Sequence, residues 1–267
     1  MKIVVIGGTG LIGRPLVEQL RQAGHEVVPA SPSTGVDTVT GAGVDAALAG
    51  ADVVVDVANS PSFEDGPVRE FFERSTGTLV EAEKRAGVGH HVVLSIVGAD
   101  RMPDIGYMRA KVRQEDIVTG SGVPYSILRA TQFFEFIKGI ADLSTDGNTI
   151  RLPTDLIQPM AADDVASAIG RVAVGTPLNR IVEVGGPEQF HLDELVRRCL
   201  AARNDPREVV ADPEARYYGI KLTETMLLPG PDAQLGETRF ETWLSQSTNQ
   251  TPATARQPSE KTAAGNR

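Results

Sequence analysis

Residues 2–24 read KIVVIGGTGLIGRPLVEQLRQAG and join a short β-branched run to a helical pattern. The run Lys2–Ile6 predicts a strand, and apolar residues at three- and four-residue spacing in Leu11–Ala23 predict a helix. The alternation continues through residue 130. Further strands are predicted at Glu26–Pro29, Asp52–Val57, His91–Val97 and Tyr125–Leu128, and further helices at Val68–Ala86 and Ala110–Thr119. Strands rich in Val and Ile that alternate with helices predict an α/β fold, with a doubly wound parallel sheet buried on both faces.

A glycine-rich turn, GGTGLIG at residues 7–13, lies between the first strand and the first helix. Gly7 permits a sharp turn, Gly10 lets the backbone approach a pyrophosphate, and Gly13 lets the helix pack closely on the sheet. Amides at the helix start, together with the helix dipole, would stabilise phosphate charge. Glycines also form turns that bind nothing, but the flanking strand and helix favour a dinucleotide cradle. Its predicted members are Gly7, Thr9, Gly10, Leu11, Ile12 and Gly13.

The end of the second strand bears on which dinucleotide would bind. An acidic residue there would bind the ribose 2′-hydroxyl of NAD and repel the extra phosphate of NADP. The chain instead has ASPST at residues 30–34, and its next carboxylate is Asp37. Arg14 would add positive charge nearby. We therefore expect NADP rather than NAD, although the alternative is that these residues only form a turn. The predicted contacts are Ser31, Ser33 and Thr34.

The regular alternation ends near residue 145, which divides the chain into three predicted parts. Short strands are predicted at Thr149–Leu152, Leu156–Met160 and Ile181–Val184, and helices at Asp163–Val174 and Leu192–Arg203. We expect residues 1–145 to form a nucleotide-binding domain and residues 146–244 a smaller lobe that packs on it and shapes a pocket. Residues 245–267 contain no Val, Ile, Leu, Met or aromatic residue and are predicted to be disordered.

The composition excludes several classes of function. The chain has 267 residues, a net charge of −9 and a pI near 5.0, which argue against nucleic acid or an acidic membrane as partner. The single cysteine, Cys199, excludes a disulfide framework and a cysteine-based zinc cluster. Apolar runs such as Ile3–Ile6 are too short to span a bilayer, and the chain opens on a predicted strand, so we expect a cytoplasmic protein. His90 and His91 lack ligand-type neighbours in sequence, so no metal site is predicted.

Four segments carry a resemblance to a known family. They are GGTGLIG at 7–13, LSIVGAD at 94–100, YMRAK at 107–111 and YSILRATQFFEF at 125–136. On these segments, residues 1–244 resemble the short-chain dehydrogenase/reductase superfamily, and more narrowly its atypical, NmrA-like NAD(P)H-binding branch. The resemblance implies a Rossmann-type domain, a smaller C-terminal substrate lobe and NADP(H) as the cofactor.

Ser95, Tyr107 and Lys111 match the Ser and Tyr-x-x-x-Lys pattern of that superfamily and are our candidate catalytic residues. A carbonyl that receives a hydride also needs a proton, and a tyrosine with an ordinary pKa near 10 is a sluggish acid–base at neutral pH. A lysine one helical turn later lies on the same helix face, and its ammonium would lower that pKa. The resemblance further implies that Lys111 binds the nicotinamide ribose and that Ser95 orients the substrate carbonyl. The second copy of the spacing, Tyr217 and Lys221, has no comparable serine strand before it, and we assign it to packing or the surface.

Residues just past two predicted strands are further candidates for cofactor contact. Ala58 and Asn59 follow the third strand, and Ala130 and Thr131 follow the fifth, where ligands of open α/β sheets bind. An ordinary loop role is an equal alternative for Asn59.

Other features have mainly structural interpretations. The aromatic residues Phe133, Phe134 and Phe136 would form core or, alternatively, the wall of an apolar pocket. Asp163–Asp164 is interpreted as a helix cap, and Trp243 as an anchor for the last ordered segment. Cys199 is interpreted as a buried hydrophobe.

The sequence thus predicts an NADPH-dependent oxidoreductase that reduces a carbonyl or an activated double bond of a small, apolar molecule. One alternative is an NADP(H)-binding redox sensor without turnover, which signals to a partner protein. A second alternative is a scaffold that uses the fold as an assembly surface. A homodimer is also considered, whereas nucleic acid and membranes are not expected partners.

Overall fold

Twelve strands and eight α-helices lie within residues 1–223 and 225–249, which are the residues described by the computed structural model. The strands are β1 (Lys2–Ile6), β2 (Glu26–Ala30), β3 (Val53–Asp56), β4 (His90–Ile96), β5 (Tyr125–Ala130), β6 (Thr145–Asp146), β7 (Thr149–Leu152), β8 (Leu156–Ile157), β9 (Ile181–Gly185), β10 (Phe190–His191), β11 (Glu208–Ala211) and β12 (Gln234–Leu235). The helices are α1 (Gly13–Gln22), α2 (Val44–Leu48), α3 (Asp65–Ala86), α4 (Gly106–Thr119), α5 (Ile137–Leu143), α6 (Ala162–Ala173), α7 (Leu192–Ala202) and α8 (Phe240–Asn249).

Seven of the strands form the central sheet, and all of its neighbouring pairs are parallel. Their spatial order is β12-β9-β5-β4-β3-β1-β2. The chain therefore runs from β1 outward to β2 and then crosses back to place β3 on the other side of β1. Loops that leave the carboxyl ends of β1 and β3 diverge at this switch point, and a crevice opens between them.

Helices cover both faces of the sheet, because alternate residues of each strand point to opposite sides. Ile3 and Val5 pack with Leu16 of α1 and with α6 on one face. Val4 packs with Leu48 of α2 and with α3 on the other face. The predicted doubly wound, Rossmann-type sheet is confirmed.

Part of the chain after residue 145 returns to the central sheet, since α6 packs on it and β9 and β12 extend it. The remainder forms two small sheets, β11-β7-β6 and β10-β8, around a separate apolar core that includes Leu195 of α7 and Phe240 of α8. The division at residue 145 stays a prediction. The elements α6, β9 and β12 follow that residue but belong to the layers of the central sheet.

The last described helix corrects the predicted start of the disordered tail. Helix α8 continues through Asn249, so residues 245–249 are helical, and residues 250–267 lie outside the described part. Trp243 is 9% exposed and its indole Nε1 donates to Glu135 Oε1 at 2.9 Å, which confirms it as the anchor of this segment. A helix anchored by buried residues in its first half can extend into polar residues that could not fold alone. None of the described helices has the length and apolarity needed to cross a membrane.

The predicted cap of α6 is also wrong. The capping position is Ala161, which has the extended backbone that a cap requires, and Asp163 and Asp164 lie inside the first turn. The Glu135 carboxylate accepts the Ala162 amide from outside the helix, while Asp164 accepts the backbone and side-chain donors of Thr238. The Asp164 side chain therefore joins α6 to a distant segment of the chain and does not cap the start of its own helix. Cys199 is buried on α7, as predicted.

Candidate functional site

A cavity of about 620 Å³ lies at the carboxyl ends of β1, β3, β4 and β5, at the switch point of the sheet. The glycine turn forms its floor, and the segments that follow β2 and β5 form its two ends. The predicted site residues that line it are Gly7, Thr9, Gly10, Leu11, Ile12, Ser31, Ala58, Asn59, Ser95, Tyr107, Lys111, Ala130 and Thr131. One cavity therefore brings together residues from six separate segments of the sequence.

The glycine turn is shaped by close backbone contacts that side chains would prevent. Gly7 has a φ of +79°, and a Cβ atom there would lie 2.9 Å from the Ala58 backbone. A Cβ on Gly13 would lie 2.1 Å from the Gly7 carbonyl oxygen, so Gly13 serves the close packing of α1 rather than the cavity wall. The N-terminus of α1 faces the cavity, and its dipole places partial positive charge there. This is an arrangement that fits a pyrophosphate.

The end of the cavity beside β2 differs in part from the prediction. Ser31 lines the wall, but Ser33 and Thr34 do not, because the turn at Pro32–Thr34 carries them out of the lining. Thr34 Oγ1 accepts the Ser31 amide at 2.9 Å, and the Ser33 and Ser31 hydroxyls lie 2.9 Å apart, so these groups are used in forming the turn. Turn formation, the alternative considered for this segment, is therefore the structural role of both residues.

Residues 36–39 line this end of the cavity in place of Ser33 and Thr34, and they were not identified as site residues from the sequence. Residues 36–39 fold back into the wall after Gly35, which has a φ of +83°. The Asp37 carboxylate accepts the amides of Val39 and Thr40, and its pKa is lowered chiefly by the Val39 amide. Arg14 donates to the Thr9 carbonyl oxygen and is not part of the lining. Asp37 therefore brings a negative charge to this end of the cavity, and Arg14 does not add the expected positive charge to the lining. Gly35 was the available sequence signal, because a glycine after a short turn permits such a reversal.

The opposite end of the cavity contains two buried hydroxyls without partners. Ser95 lies near the carboxyl end of β4 and Thr131 directly after β5, and each is 2% exposed. Within the described part of the chain, neither hydroxyl oxygen has a hydrogen-bond partner. Buried polar atoms are rarely left unpaired, because an unpaired group loses its hydration without compensation. Both residues line the cavity, so each unpaired hydroxyl lies next to the space that a ligand would occupy.

Tyr107 lies in the first turn of α4, and its hydroxyl crosses the cavity to the loop after β3. It donates to Asn59 Oδ1 at 2.8 Å. The Tyr107 ring packs against Phe63 and Phe72, with centroid distances of 5.3 and 5.9 Å. Burial raises the pKa of Tyr107, so the expectation that Lys111 lowers it is wrong for this structure. The phenol therefore stays protonated across the ordinary pH range.

The orientation of Lys111 explains why it does not lower the pKa of Tyr107, because its ammonium is not directed at the Tyr107 hydroxyl. Its Nζ donates to the Leu94 carbonyl oxygen at 2.8 Å and to Gln114 Oε1, and it lies 4.6 Å from the centroid of the Phe72 ring. Burial lowers the pKa of Lys111 to about 8, although the charges of Asp56 and Glu115 oppose the shift. The four-residue spacing brings both side chains to the cavity, as predicted, but the nitrogen is held by backbone and amide oxygens.

The aromatic cluster after β5 serves both roles that the sequence left open. Phe133 and Phe136 stack with centroids 5.2 Å apart and line the cavity. Phe134 is 1% exposed and packs in the core against Phe240. Four aromatic residues therefore line the cavity, since Phe71 and Tyr107 also contribute to it.

The two histidines form buried pairs outside the cavity. His91 Nδ1 lies 2.7 Å from Glu83 Oε1, and His90 Nε2 lies 2.8 Å from the Ser126 hydroxyl. The sequence did not reveal Glu83 as a partner, because α3 brings it from the end of a long helix. Across residues 1–223 and 225–249, no three His, Cys, Asp or Glu side chains group together as metal ligands would.

Known proteins resemble this chain in sequence and in fold. Its matched region is 28% identical to divinyl chlorophyllide a 8-vinyl-reductase of Cucumis sativus, over 69% of this chain and 52% of that protein. It is 24% identical to the photosystem II assembly factor Ycf39 of Synechocystis, over 74% and 67% of the two chains. The chain thus spans about half the length of the reductase it matches and about two thirds of the assembly factor.

Solved structures share the fold at low sequence identity. MoeE5 in complex with UDP-glucose and NAD superposes with a TM-score of 0.70 at 18% identity, covering 93% of this chain and 97% of that one. The dTDP-4-dehydrorhamnose reductase of Bacillus anthracis in complex with NADP has a TM-score of 0.64 at 14% identity, covering 89% and 90%. A family model described as NAD(P)H-binding matches residues 7–172, which include the glycine turn and most of the cavity wall. The chain therefore belongs to this NAD(P)H-binding family.

Proposed function

We propose that the protein is a nicotinamide-dependent reductase of the atypical, NmrA-like short-chain type, acting on a carbonyl or an activated double bond. The observation that carries the proposal is the pair of buried, unpartnered hydroxyls of Ser95 and Thr131 in one cavity with the glycine turn. One end of that cavity fits a pyrophosphate, and the other offers polar contacts that the described residues leave unused.

The cofactor would lie across the carboxyl edge of the sheet. The turn at residues 7–13 and the start of α1 would hold its pyrophosphate, and the wall from Ser31 to Val39 its adenosine. Ala58, Asn59, Ala130 and Thr131 would border the nicotinamide side. When bound, the reduced cofactor supplies a hydride. Lys111, which faces the same side, is the candidate for contact with the ribose.

The position of Tyr107 suits reduction, because a protonated phenol at the cavity can donate a proton to an oxygen that gains negative charge. Burial raises its pKa and makes the phenol a weaker acid, so bound substrate and cofactor would have to lower that pKa for the transfer to be efficient. Ser95 would donate a hydrogen bond to the same oxygen and orient it. In the structure Tyr107 donates to Asn59 instead, and substrate binding would have to exchange that acceptor for its own oxygen.

The choice between NADP and NAD depends on the end of the cavity beside β2. The absence of an acid directly after β2 favours NADP, and this remains our proposal. Asp37 opposes it, because its carboxylate faces the same wall and would repel a ribose phosphate. We therefore expect a modest preference for NADPH, which paired calorimetric titrations of NADPH and NADH measure directly.

Three finer assignments also belong to the proposal. The stacked Phe133 and Phe136, with Phe71, support an apolar substrate. A cytoplasmic location and a homodimer are retained as proposals from the sequence.

The test compares two threonines with unpaired buried hydroxyls. Thr131→Val removes one inside the cavity, and Thr76→Val removes one on α3 that does not line it. We expect Thr131→Val to weaken NADPH binding about tenfold, the effect of one lost hydrogen bond to a ligand, and Thr76→Val to leave it unchanged. Calorimetry measures binding, and absorbance of the reduced cofactor with a panel of aldehydes, ketones, quinones and enones measures turnover. Equal binding by the wild type and Thr131→Val would contradict the proposal.

A redox sensor is the second candidate, and the proton-handling groups support it. The Tyr107 hydroxyl donates to Asn59 and the Lys111 ammonium to Gln114, an arrangement that suits stable cofactor binding without proton transfer. One matched relative is named as an assembly factor rather than an enzyme. NADPH binding without oxidation across the substrate panel would favour this candidate.

A further inference from the structure

A chain of buried hydrogen bonds continues from Lys111 away from the cavity. The side chains of Lys111, Gln114 and Asp56 are 4%, 1% and 2% exposed, and they lie between the sheet and α4. Lys111 Nζ donates to Gln114 Oε1, and Gln114 Nε2 donates to Asp56 Oδ2 at 2.9 Å. Neither Gln114 nor Asp56 lines the cavity. They can act on a ligand only through the groups they hold.

The chemistry of the three groups permits one orientation of the glutamine amide. An ammonium only donates hydrogen bonds and a carboxylate only accepts them, whereas an amide has one end of each kind. With its nitrogen toward Asp56, Gln114 presents its oxygen to Lys111. The reverse orientation would place an NH₂ group against the ammonium and an oxygen against the carboxylate. Asp56 therefore sets which atom of Gln114 faces Lys111.

The second oxygen of Asp56 holds the other side of the site. Asp56 Oδ1 accepts the Ala58 amide at 3.0 Å, which fixes the start of the loop after β3. The next residue, Asn59, accepts the Tyr107 hydroxyl. One carboxylate at the end of β3 is thus connected to Lys111 through Gln114 and to Tyr107 through the loop.

We propose that Asp56 and Gln114 are positioning residues of the reductase site, which hold Lys111 as an oriented ammonium and fix the loop that carries Asn59. Their part in catalysis rests on the proposed function, whereas their hold on Lys111 does not. The neighbouring pair Glu115 and Arg129 is also buried but joins α4 to β5 and does not line the cavity. Burial of charge on α4 therefore does not alone connect a residue to the site.

Other charged groups influence the pKa values of Asp56 and Lys111, and they therefore affect any measurement of pH dependence. They are His91 of β4, Glu83 of α3, and Glu115 of α4. Burial raises the pKa of Asp56, and the neighbouring His91 charge opposes that shift. Variants must therefore be compared over the same pH range, with His91 and Glu83 unchanged.

The test follows the titration of Lys111 in the ligand-free chain of 267 residues. Lys111 Cε–Hε signals are assigned by NMR with Lys111→Arg, and the wild-type midpoint is expected near pH 8. Gln114→Met removes the acceptor of the ammonium with little change in volume, and should lower that midpoint by about one pH unit. The matched control is Gln158→Met, because Gln158 is another buried glutamine with hydrogen bonds at both ends, outside the cavity lining. An unmoved midpoint in Gln114→Met, or an equal change in Gln158→Met, would overturn the proposal.

Asp56→Asn is the second variant, in case Gln114→Met does not fold. The new amide would oblige Gln114 to turn over and present its nitrogen to Lys111, so the midpoint should again fall. If the panel identifies a substrate, both variants should lower kcat for it at least tenfold. The basic limb of the pH–rate profile should move to lower pH together with the Lys111 midpoint. If the midpoints move but the wild type turns over no substrate, the proposed function fails and the hold on Lys111 stands. An active wild type whose variants keep both the midpoint and the pH–rate profile would refute the positioning role.

Discussion

Two copies of the same tyrosine–lysine spacing have entirely different surroundings. Tyr107 and Lys111 lie on α4, which carries both to one cavity and buries the lysine. Tyr217 and Lys221 are joined by a tight turn, in which Tyr217 and Ile220 exchange backbone hydrogen bonds. Tyr217 is buried in the core of the C-terminal part, while Lys221 is exposed and pairs with Glu214 at 3.0 Å. A four-residue spacing therefore indicates shared chemistry only where a helix connects the two residues and a cavity receives them.

The largest expected difference between the copies is at the tyrosines. Tyr107→Phe removes the proposed proton donor and should reduce turnover about 100- to 10,000-fold, with NADPH affinity nearly unchanged. Tyr217→Phe removes a buried hydroxyl that has no partner among the described residues, and should leave turnover unchanged. Steady-state kinetics with any substrate identified in the panel measures both. Parent-level turnover by Tyr107→Phe would contradict its assigned role.

Substitution of the two lysines should change activity by a smaller factor than substitution of the tyrosines, again with the loss confined to the copy on α4. Lys111→Met removes the ammonium beside the cavity, which should weaken cofactor binding and reduce kcat/KM about 10- to 100-fold. Lys221→Met removes only an exposed ion pair and should be indistinguishable from the wild type in the same assays. Comparable losses in the two variants would remove the distinction between the copies.

The last expected effect is on stability and depends on pH. Burial lowers the pKa of Lys111 to about 8 from its ordinary value of 10.5, so between these pH values the unfolded chain holds a proton that the folded protein has lost. Stability from this group therefore rises as the pH increases through this window and is absent below it. The difference in free energy of unfolding between wild type and Lys111→Met should grow by up to about 3 kcal/mol in favour of the wild type. Urea unfolding at pH 7.5 and 10 measures it, and a difference that does not grow would show that the ammonium is not buried as described.

Much of the fold was predictable because it depends on local patterns. The Val- and Ile-rich strands predicted the parallel sheet, which is confirmed. The glycine-rich segment predicted a sharp turn at Gly7 and close packing at Gly13, and the structure has both. The errors occur where partners are distant in sequence. Asp164 binds Thr238 rather than capping its own helix, and α8 extends past residue 245 because Trp243 anchors it to the core.

In the candidate site too, the residues that sequence reasoning missed depend on contacts between distant segments. Ser95, Tyr107 and Lys111 were identified from their match to the Ser and Tyr-x-x-x-Lys pattern of the superfamily that the chain resembles, and all three line the cavity. Asp37 and Gln114 were not, because an aspartate after a turn and a glutamine within a helix carry no distinctive pattern. Their importance depends on the fold-back after Gly35 and on the depth at which α4 packs against β3.

The amino-acid sequence alone was sufficient for the class of fold and for the glycine-rich turn, which follow from backbone preferences and hydrophobic periodicity between near neighbours. The phosphate-binding role of that turn is a proposal from its motif, and the three residues proposed to act in the reaction come from the family resemblance. The protonation of Tyr107, the acceptors of Lys111 and the charge beside β2 became evident only from the folded chain. Burial and electrostatic contact between remote segments control these properties, and both arise only when the helices pack onto the sheet.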